Sequence, residues 1–324
     1  MKKKLHIIPY RKSMMRIVLL TIISCTFSQV SGQQHAVNSM FNYNRLDFNP
    51  AVAGASDKIP ITMHTRQQWI GFENAPRSQY ISAHAFLPFN IGLGGVIYNN
   101  ITGPTRQTGA KIAFSRHFNL TKKDWFSLGL SAEFYENVFD VNQLETGIPN
   151  DPTIQTNIEQ KLAPDASFGA FFYSREYFAG FSVTNLLQST HDLLNTNAEF
   201  DNPIERVYFV TGGYYFELQQ GFAYKPSVLV KKTIGTPWQA DICNEIIYND
   251  MFWGGLAFRT NLDAILMLGI RYHIYELAYS YDFNFNEIKD YTHGSHEIIL
   301  RFNLNNPVRQ DGSFFQKMEG MFKW

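Results

Sequence analysis

Residues that could do chemistry are few and scattered. His191-Asp192 and Ser295-His296 are adjacent pairs. Neighbours along a strand point to opposite faces, so Ser295 and His296 cannot act on each other as nucleophile and base. His191-Asp192 has no nearby serine with a legible role. No G-x-S-x-G elbow, H-E-x-x-H pair, Walker loop or dinucleotide fingerprint occurs. A barrel phospholipase would need a nucleophile and a base from neighbouring strands, and nothing marks such a pair. No catalytic, metal-ligating or cofactor-binding residue is therefore assigned, and the chain is expected not to be an enzyme.

The remaining charged residues take their meaning from the elements that hold them. Period-two alternation recurs along the chain, and helical periodicity is scarce. Phe126, Leu128, Leu130, Ala132 and Phe134 alternate with Ser127, Gly129, Ser131, Glu133 and Tyr135. Similar patterns run over 263–273, 276–283 and 297–302. One face is apolar or aromatic, the other small, polar or charged, as expected for lipid outside and a polar interior. Turn-forming clusters divide the chain into fourteen strands, near 59–69, 78–87, 91–98, 107–118, 125–136, 164–174, 177–185, 204–217, 221–232, 238–248, 251–260, 263–273, 276–285 and 295–304. This register points His64, Arg66, Gln68, Lys111, His117, Asp241, Glu245, Arg271, Glu276, Asp282, Glu297 and Arg301 inward. Their mixed signs fit a network that fills and stiffens a narrow interior better than an ion or solute path.

The fold expected is all-β, an antiparallel transmembrane β-barrel of about fourteen strands. A soluble β-sandwich would alternate as well. It accounts less well for 28 Phe and 17 Tyr and for strands well beyond the usual 5–6 residues. An even count with tight even-numbered connections places both termini in the periplasm. The long odd-numbered connections are Asn99–Arg106, Asn137–Ala163, Leu186–Pro203 and Asn286–Gly294.

The start of the chain reads as an export signal. Lys2, Lys3, Lys4, Arg11, Lys12 and Arg16 precede an apolar run from Ile17 to Cys25, and Val30-Ser31-Gly32 offers small residues for cleavage before Gln33. The run is too short to span a bilayer. Ile22-Ile23-Ser24-Cys25 gives lipidation at Cys25 as a rival reading. Removing residues 1–32 leaves 22 basic against 28 acidic side chains, which argues against a nucleic-acid partner. Cys243 is then the one cysteine, a strand filler that can make no internal disulfide. Residues 33–58 are expected as a periplasmic segment, 59–304 as the barrel and 305–324 as a periplasmic tail. Phe314, Met318 and Met321, with Phe315 and Phe322 alongside, form a short apolar helical face there, a candidate partner-docking element. Packing against the barrel mouth, or plugging it, is the other reading.

Several patches have definite shapes. Asn49-Pro50-Ala51-Val52-Ala53-Gly54 reads as a turn ahead of the first strand. Arg66-Gln67-Gln68-Trp69-Ile70-Gly71-Phe72 is followed by Ala75-Pro76. Gly92-Leu93-Gly94-Gly95 weakens a strand unless another group must approach closely. Gly103-Pro104 and Ser295-His296-Glu297-Ile298 follow. In order and spacing, from Asn49 to Leu304, these resemble the PorP/SprF family of the type IX secretion system of Bacteroidetes. The motif positions are Asn49, Pro50, Gly54, Arg66, Trp69, Gly71, Pro76, Gly103, Pro104, His296 and Glu297. Val52, where the family commonly has an aromatic, and the tail after Asn305 depart from the pattern. The resemblance implies a non-catalytic outer-membrane component. It would aid secretion or surface retention of proteins with a C-terminal sorting domain, gliding adhesins among them. It also implies links to a periplasmic lipoprotein ring and a peptidoglycan-binding protein. A general porin or solute channel is the alternative.

Overall fold

Alternating sequences form strands with two unlike faces, and the computed structural model contains fourteen of them; it describes residues 38–140, 159–189 and 204–310. They are β1 (Lys58–Gln67), β2 (Arg77–Leu87), β3 (Ile91–Thr102), β4 (Thr105–Asn119), β5 (Trp125–Phe139), β6 (Glu159–Tyr173) and β7 (Tyr177–Thr184). β8 (Val207–Tyr214) breaks at Tyr215 and resumes at Phe216–Glu217. β9 (Phe222–Thr233), β10 (Gln239–Tyr248), β11 (Phe252–Arg259), β12 (Asp263–Tyr272), β13 (Tyr275–Asn284) and β14 (Ser295–Asn305) complete the set. Each strand pairs antiparallel with the next, and β14 returns to β1 from Lys58↔Asn305 to Gln67↔His296. Closure leaves no edge strand, so backbone groups in the wall find partners without water.

The apolar face looks outward. Ile112, Leu130, Leu256 and Leu268 are 66%, 60%, 54% and 54% exposed in mid-wall, and a continuous apolar band of this kind belongs in lipid rather than water. Aromatic rings line the rim at the tight-turn end. Phe118 meets Phe126, Phe172 meets Tyr177, Tyr214 meets Phe216 and Phe222 meets Tyr248, with centroids 6.4, 5.7, 4.3 and 4.7 Å apart. Such girdles sit at a membrane–water interface.

Two expectations change. The connection Asn99–Arg106 is not a long loop: β3 and β4 stay paired up to Thr102↔Thr105. Gly103-Pro104 alone turns the chain, with Gly103 at φ 55°. Asn99, Asn100, Thr105 and Arg106 look like loop residues by type, but they continue the ladder at the rim. The second change concerns residues 38–57, which do not stand outside the barrel as a separate segment but lie within it. Three short 3₁₀ turns, Phe41–Tyr43, Arg45–Asp47 and Pro50–Val52, form this internal plug, and all but a few of its side chains are buried. The leader at 1–32, Cys25, His191-Asp192 and tail residues Phe314, Phe315, Met318, Met321 and Phe322 lie outside the described residues.

An arginine on the outward face tests the lipid assignment. Leu268→Arg should lower stability in lipid vesicles by about 2–4 kcal/mol, the cost of arginine near the bilayer midplane. Urea titration of the refolded protein would measure it; unchanged stability would mean that this face does not meet lipid.

Candidate functional site

The interior has two unlike walls, and each holds the plug differently. Across β3 to β7, the inward positions directly beneath the plug backbone carry small residues. A Cβ added at Gly92 would lie 2.0 Å from the Ala53 oxygen, at Gly129 2.3 Å from the Ala51 nitrogen, and at Gly169 2.1 Å from Asn49 Oδ1. These glycines let the plug backbone lie directly on the strands. Serines beside them complete the contact. Ser115 donates to the Ala53 carbonyl at 2.7 Å and Ser127 to the Ala51 carbonyl at 2.7 Å. Asn49 Oδ1 accepts the Ala51 N–H at 3.0 Å, which caps the Pro50–Val52 turn, while its Nδ2 donates to the Ala170 carbonyl at 3.2 Å. Gly54 has φ +73°, and a Cβ there would lie 2.7 Å from Gly92 Cα.

The opposite wall, β9 to β14 with β1, grips the plug through charge. Glu297 accepts the backbone N–H groups of Ser39 at 2.8 Å and Met40 at 2.9 Å. The same carboxylate accepts from Arg66 at 2.9 Å and lies 2.9 Å from His64 Nε2. Arg66 also donates to Asp282 at 2.6 Å and to Ser39 Oγ at 2.7 Å. Deeper in, Asn42 donates to Ser227 and Glu245, at 2.7 and 2.9 Å, and Lys225 lies 2.7 Å from Glu245. Tyr43 stacks on Trp253 at 4.8 Å, and its carbonyl accepts from Arg301. The first wall adds one charged grip of its own: Lys111 of β4 donates to the Asp47 carbonyl at 2.6 Å. Arg271 pairs with Glu276 at 2.7 Å and Arg259 with Asp241 at 2.9 Å.

The side chains assigned inward from β1, β4, β10 and β12–β14 do face the interior, and most meet either the plug or a partner that does. Gln68 is the exception: it falls just past β1, its N–H donating to the Pro76 carbonyl at 2.9 Å. The plug itself was not visible in the sequence reading. Its signal was the set of small inward residues on β5 to β7, Ser127, Gly129, Ser131, Ser167, Gly169, Gly180 and Ser182, which leave room for another backbone. A Ser–His contact was also missed. Ser115 Oγ and His117 Nε2 are 2.9 Å apart, and His117 Nδ1 lies 2.8 Å from the Tyr173 hydroxyl. Both Ser115 and His117 Nε2 also reach the Ala53 carbonyl, and both residues are buried beneath the plug. They hold the plug rather than present a nucleophile to solvent.

A family model for the type IX secretion system membrane protein PorP/SprF matches residues 30–302. The chain belongs to the PorP/SprF family. That membership, with the barrel, places it among secretion or membrane-channel components rather than enzymes, and it fits an outer-membrane protein. Among solved structures the fold is similar to the toluene transporter TodX of Pseudomonas putida, at 11% identity and TM-score 0.48, covering 87% of this chain and 97% of that one. The toluene transporter TbuX of Ralstonia pickettii gives 10%, 0.46, 80% and 92% for the same quantities. The KdgM porin gives 8%, 0.38, 76% and 99%. No curated protein matches.

The PorP/SprF motif positions fall into two groups. Asn49, Pro50 and Gly54 belong to the plug and Gly92 to its seat, while Arg66 and Glu297 join β1 to β14 and catch Ser39 and Met40. The others shape the rim. Trp69 N–H donates to Ser295 Oγ at 3.2 Å, Gly71 has φ 96°, and the Pro104 carbonyl accepts the Asp140 N–H at 2.9 Å. Gly103 N–H donates to the Asn74 carbonyl at 3.1 Å, tying the third connection to the first. His296 faces outward and meets the Tyr279 hydroxyl at 2.6 Å, so it is not part of the interior network.

Two substitutions separate the two modes of holding. Glu297→Ala leaves two buried plug N–H groups without their acceptor and takes from Arg66 one of its two carboxylate partners, the other being Asp282, and should cost about 3–5 kcal/mol in an unfolding titration; a loss below about 1 kcal/mol, typical of an exposed pair, would contradict this geometry. Gly129→Val should leave the barrel folded by its heat-shifted gel mobility but unseat the plug, so that trypsin cuts at Arg45. Resistance at Arg45 equal to wild type would mean that Ala51 does not lie on Gly129.

Proposed function

We propose that this chain is a non-catalytic outer-membrane scaffold of the type IX secretion system, one that aids secretion or surface retention of proteins carrying a C-terminal sorting domain. The observation that carries this reading is the filled interior of a PorP/SprF barrel. Residues 38–57 cross it and bond to both walls. A cavity of about 50 Å³ beside Arg45, Arg301 and Tyr173 has room for a few waters. A general porin needs a continuous aqueous path, and the plug stands where that path would run. A scaffold needs a rigid wall and surfaces at its two mouths, which plugging preserves.

On this reading the protein is exported by its leader and inserted in the outer membrane of a member of the Bacteroidetes. One mouth faces the secreted client, a gliding adhesin or similar surface protein. The other faces the periplasmic lipoprotein ring and a peptidoglycan-binding protein, with the tail around Phe314, Met318, Met321 and Phe322 as the candidate docking element. Support for these partners comes from family membership.

Deleting the gene and profiling surface proteins tests the proposal. Loss of one or a few sorting-domain proteins from the surface, with unchanged uptake of small solutes, is expected. An unchanged surface profile together with reduced solute uptake would favour a channel instead.

A further inference from the structure

Between the plug and the wall lies the cavity of about 50 Å³ beside Arg45 and Arg301. Its lining combines two guanidinium groups, the His84 imidazole and the Asn44 amide with the apolar side chains of Val52 and Phe178. Among the described residues, no Asp or Glu lines it. Arg45 belongs to the plug. Its Nη2 donates to Asn42 Oδ1 at 2.8 Å, and its guanidinium lies over the Phe178 ring, 3.7 Å from the centroid. Arg301 comes from β14, and it donates to Thr62 Oγ1 at 3.1 Å and to the Tyr43 carbonyl. The carboxylates that act on these two arginines, Glu245 and Glu276, stand outside the lining. Lys225 engages Glu245 at 2.7 Å, and Arg271 engages Glu276 at 2.7 Å, against 3.7 Å for Arg301. Asn44 gives a second, independent sign. It is 3% exposed, its Oδ1 accepts from Ser82 Oγ at 3.1 Å, and its Nδ2 has no hydrogen-bond partner among the described residues. A buried donor left without an acceptor is destabilising. Positive charge and a spare N–H donor around a space that no carboxylate lines are what a small anion requires.

We propose that this cavity binds a small carboxylate, whose oxygens accept from Arg45, Arg301 and Asn44 and whose alkyl body rests against Val52 and Phe178. A guanidinium that lies face-on over a ring keeps its N–H groups in its own plane, where the two oxygens of a carboxylate meet them. The volume is that of a few waters, enough for about four or five non-hydrogen atoms, the size of acetate or propionate. A phosphate ion would meet the same donors but gain nothing from the apolar side chains. Ser56 and His84 are half-buried and stand near the mouth where β1 begins, the end of the tight turns. The ligand therefore enters from that end. Once bound, it joins Asn44 and Arg45 of the plug to Arg301 of the wall and so adds to the seating of the plug. The inference does not depend on the secretion role.

Titration calorimetry on the full chain in detergent tests this, with sodium acetate, propionate, phosphate and chloride compared at equal ionic strength. Acetate or propionate should bind one to one with a millimolar or tighter dissociation constant, in the range open to so small a ligand. Phosphate and chloride should bind about tenfold more weakly or worse. Asn44→Asp places a carboxylate of the chain's own beside the two guanidinium groups. It should abolish acetate and propionate binding and raise the temperature at which the gel mobility shifts. Arg45→Met keeps an unbranched side chain over Phe178 and should weaken binding about tenfold or more; it carries the test if Asn44→Asp does not fold. No saturable heat with either carboxylate would overturn the proposal, and so would phosphate or chloride binding as tightly as acetate. Carboxylate binding that survives both substitutions would place the ligand elsewhere and equally overturn it. A shift temperature lowered by Asn44→Asp would contradict it too, since the added carboxylate would then lack partners.

Discussion

Fourteen strands enclose more space than their own inward side chains fill, because barrel diameter grows with strand number and eight already suffice for a packed interior. The inner face of this barrel is studded with ionised and hydroxyl groups, each of which is costly if buried without a partner. Water could meet them and make a channel. The chain meets them with its own backbone instead. The Ser39 and Met40 N–H groups are held by Glu297, and the Ala51 and Ala53 carbonyls by Ser127 and Ser115. The orientation of the inner polar side chains, and the glycines between them, follow from this one docking.

The division between the walls has a physical logic. Where the plug lies flat, on β3 to β7, the strands present mainly glycine and serine, and backbone meets backbone, with Lys111 and His117 adding side-chain contacts to the Asp47 and Ala53 carbonyls. Where space remains, on β9 to β14 and β1, long side chains cross it: Arg66, Lys225, Arg259 and Arg301. A buried ion pair often stabilises no more than well-packed apolar side chains of the same volume would. The pairs here fix one position of the plug, since a shift by one residue would leave Glu297 and Glu245 facing the wrong groups.

Much of the barrel was legible in the sequence. The alternation 126–135 and 263–273, and turn pairs such as Asn249-Asp250, set the fourteen strands and their register, because a one-residue slip would put charge against lipid. The rim was less legible: Asn99, Asn100 and Arg106 are loop-like by type yet remain paired. The plug was not legible, since residues 38–57 have no period and their structure depends on a surface that forms only when distant strands close. Besides the small inward residues of β5 to β7, the nearest signals were Gly92 and Gly94, which weaken a strand unless another group must approach closely. Of the motif residues, Arg66 and Glu297 lie 231 positions apart, and only closure of β14 on β1 brings them together. Their ordering of the plug gives a physical role to motif positions that carry no chemistry of their own.

A scaffold reading and a channel reading differ in one respect above all, whether the interior stays filled. Single-channel recording in planar bilayers, on the unaltered protein and on a chain lacking residues 38–55, tests this most directly. A silent wild-type barrel and a steady open pore after the deletion are predicted. Steady conductance by the unaltered protein, unchanged by the deletion, would contradict the account.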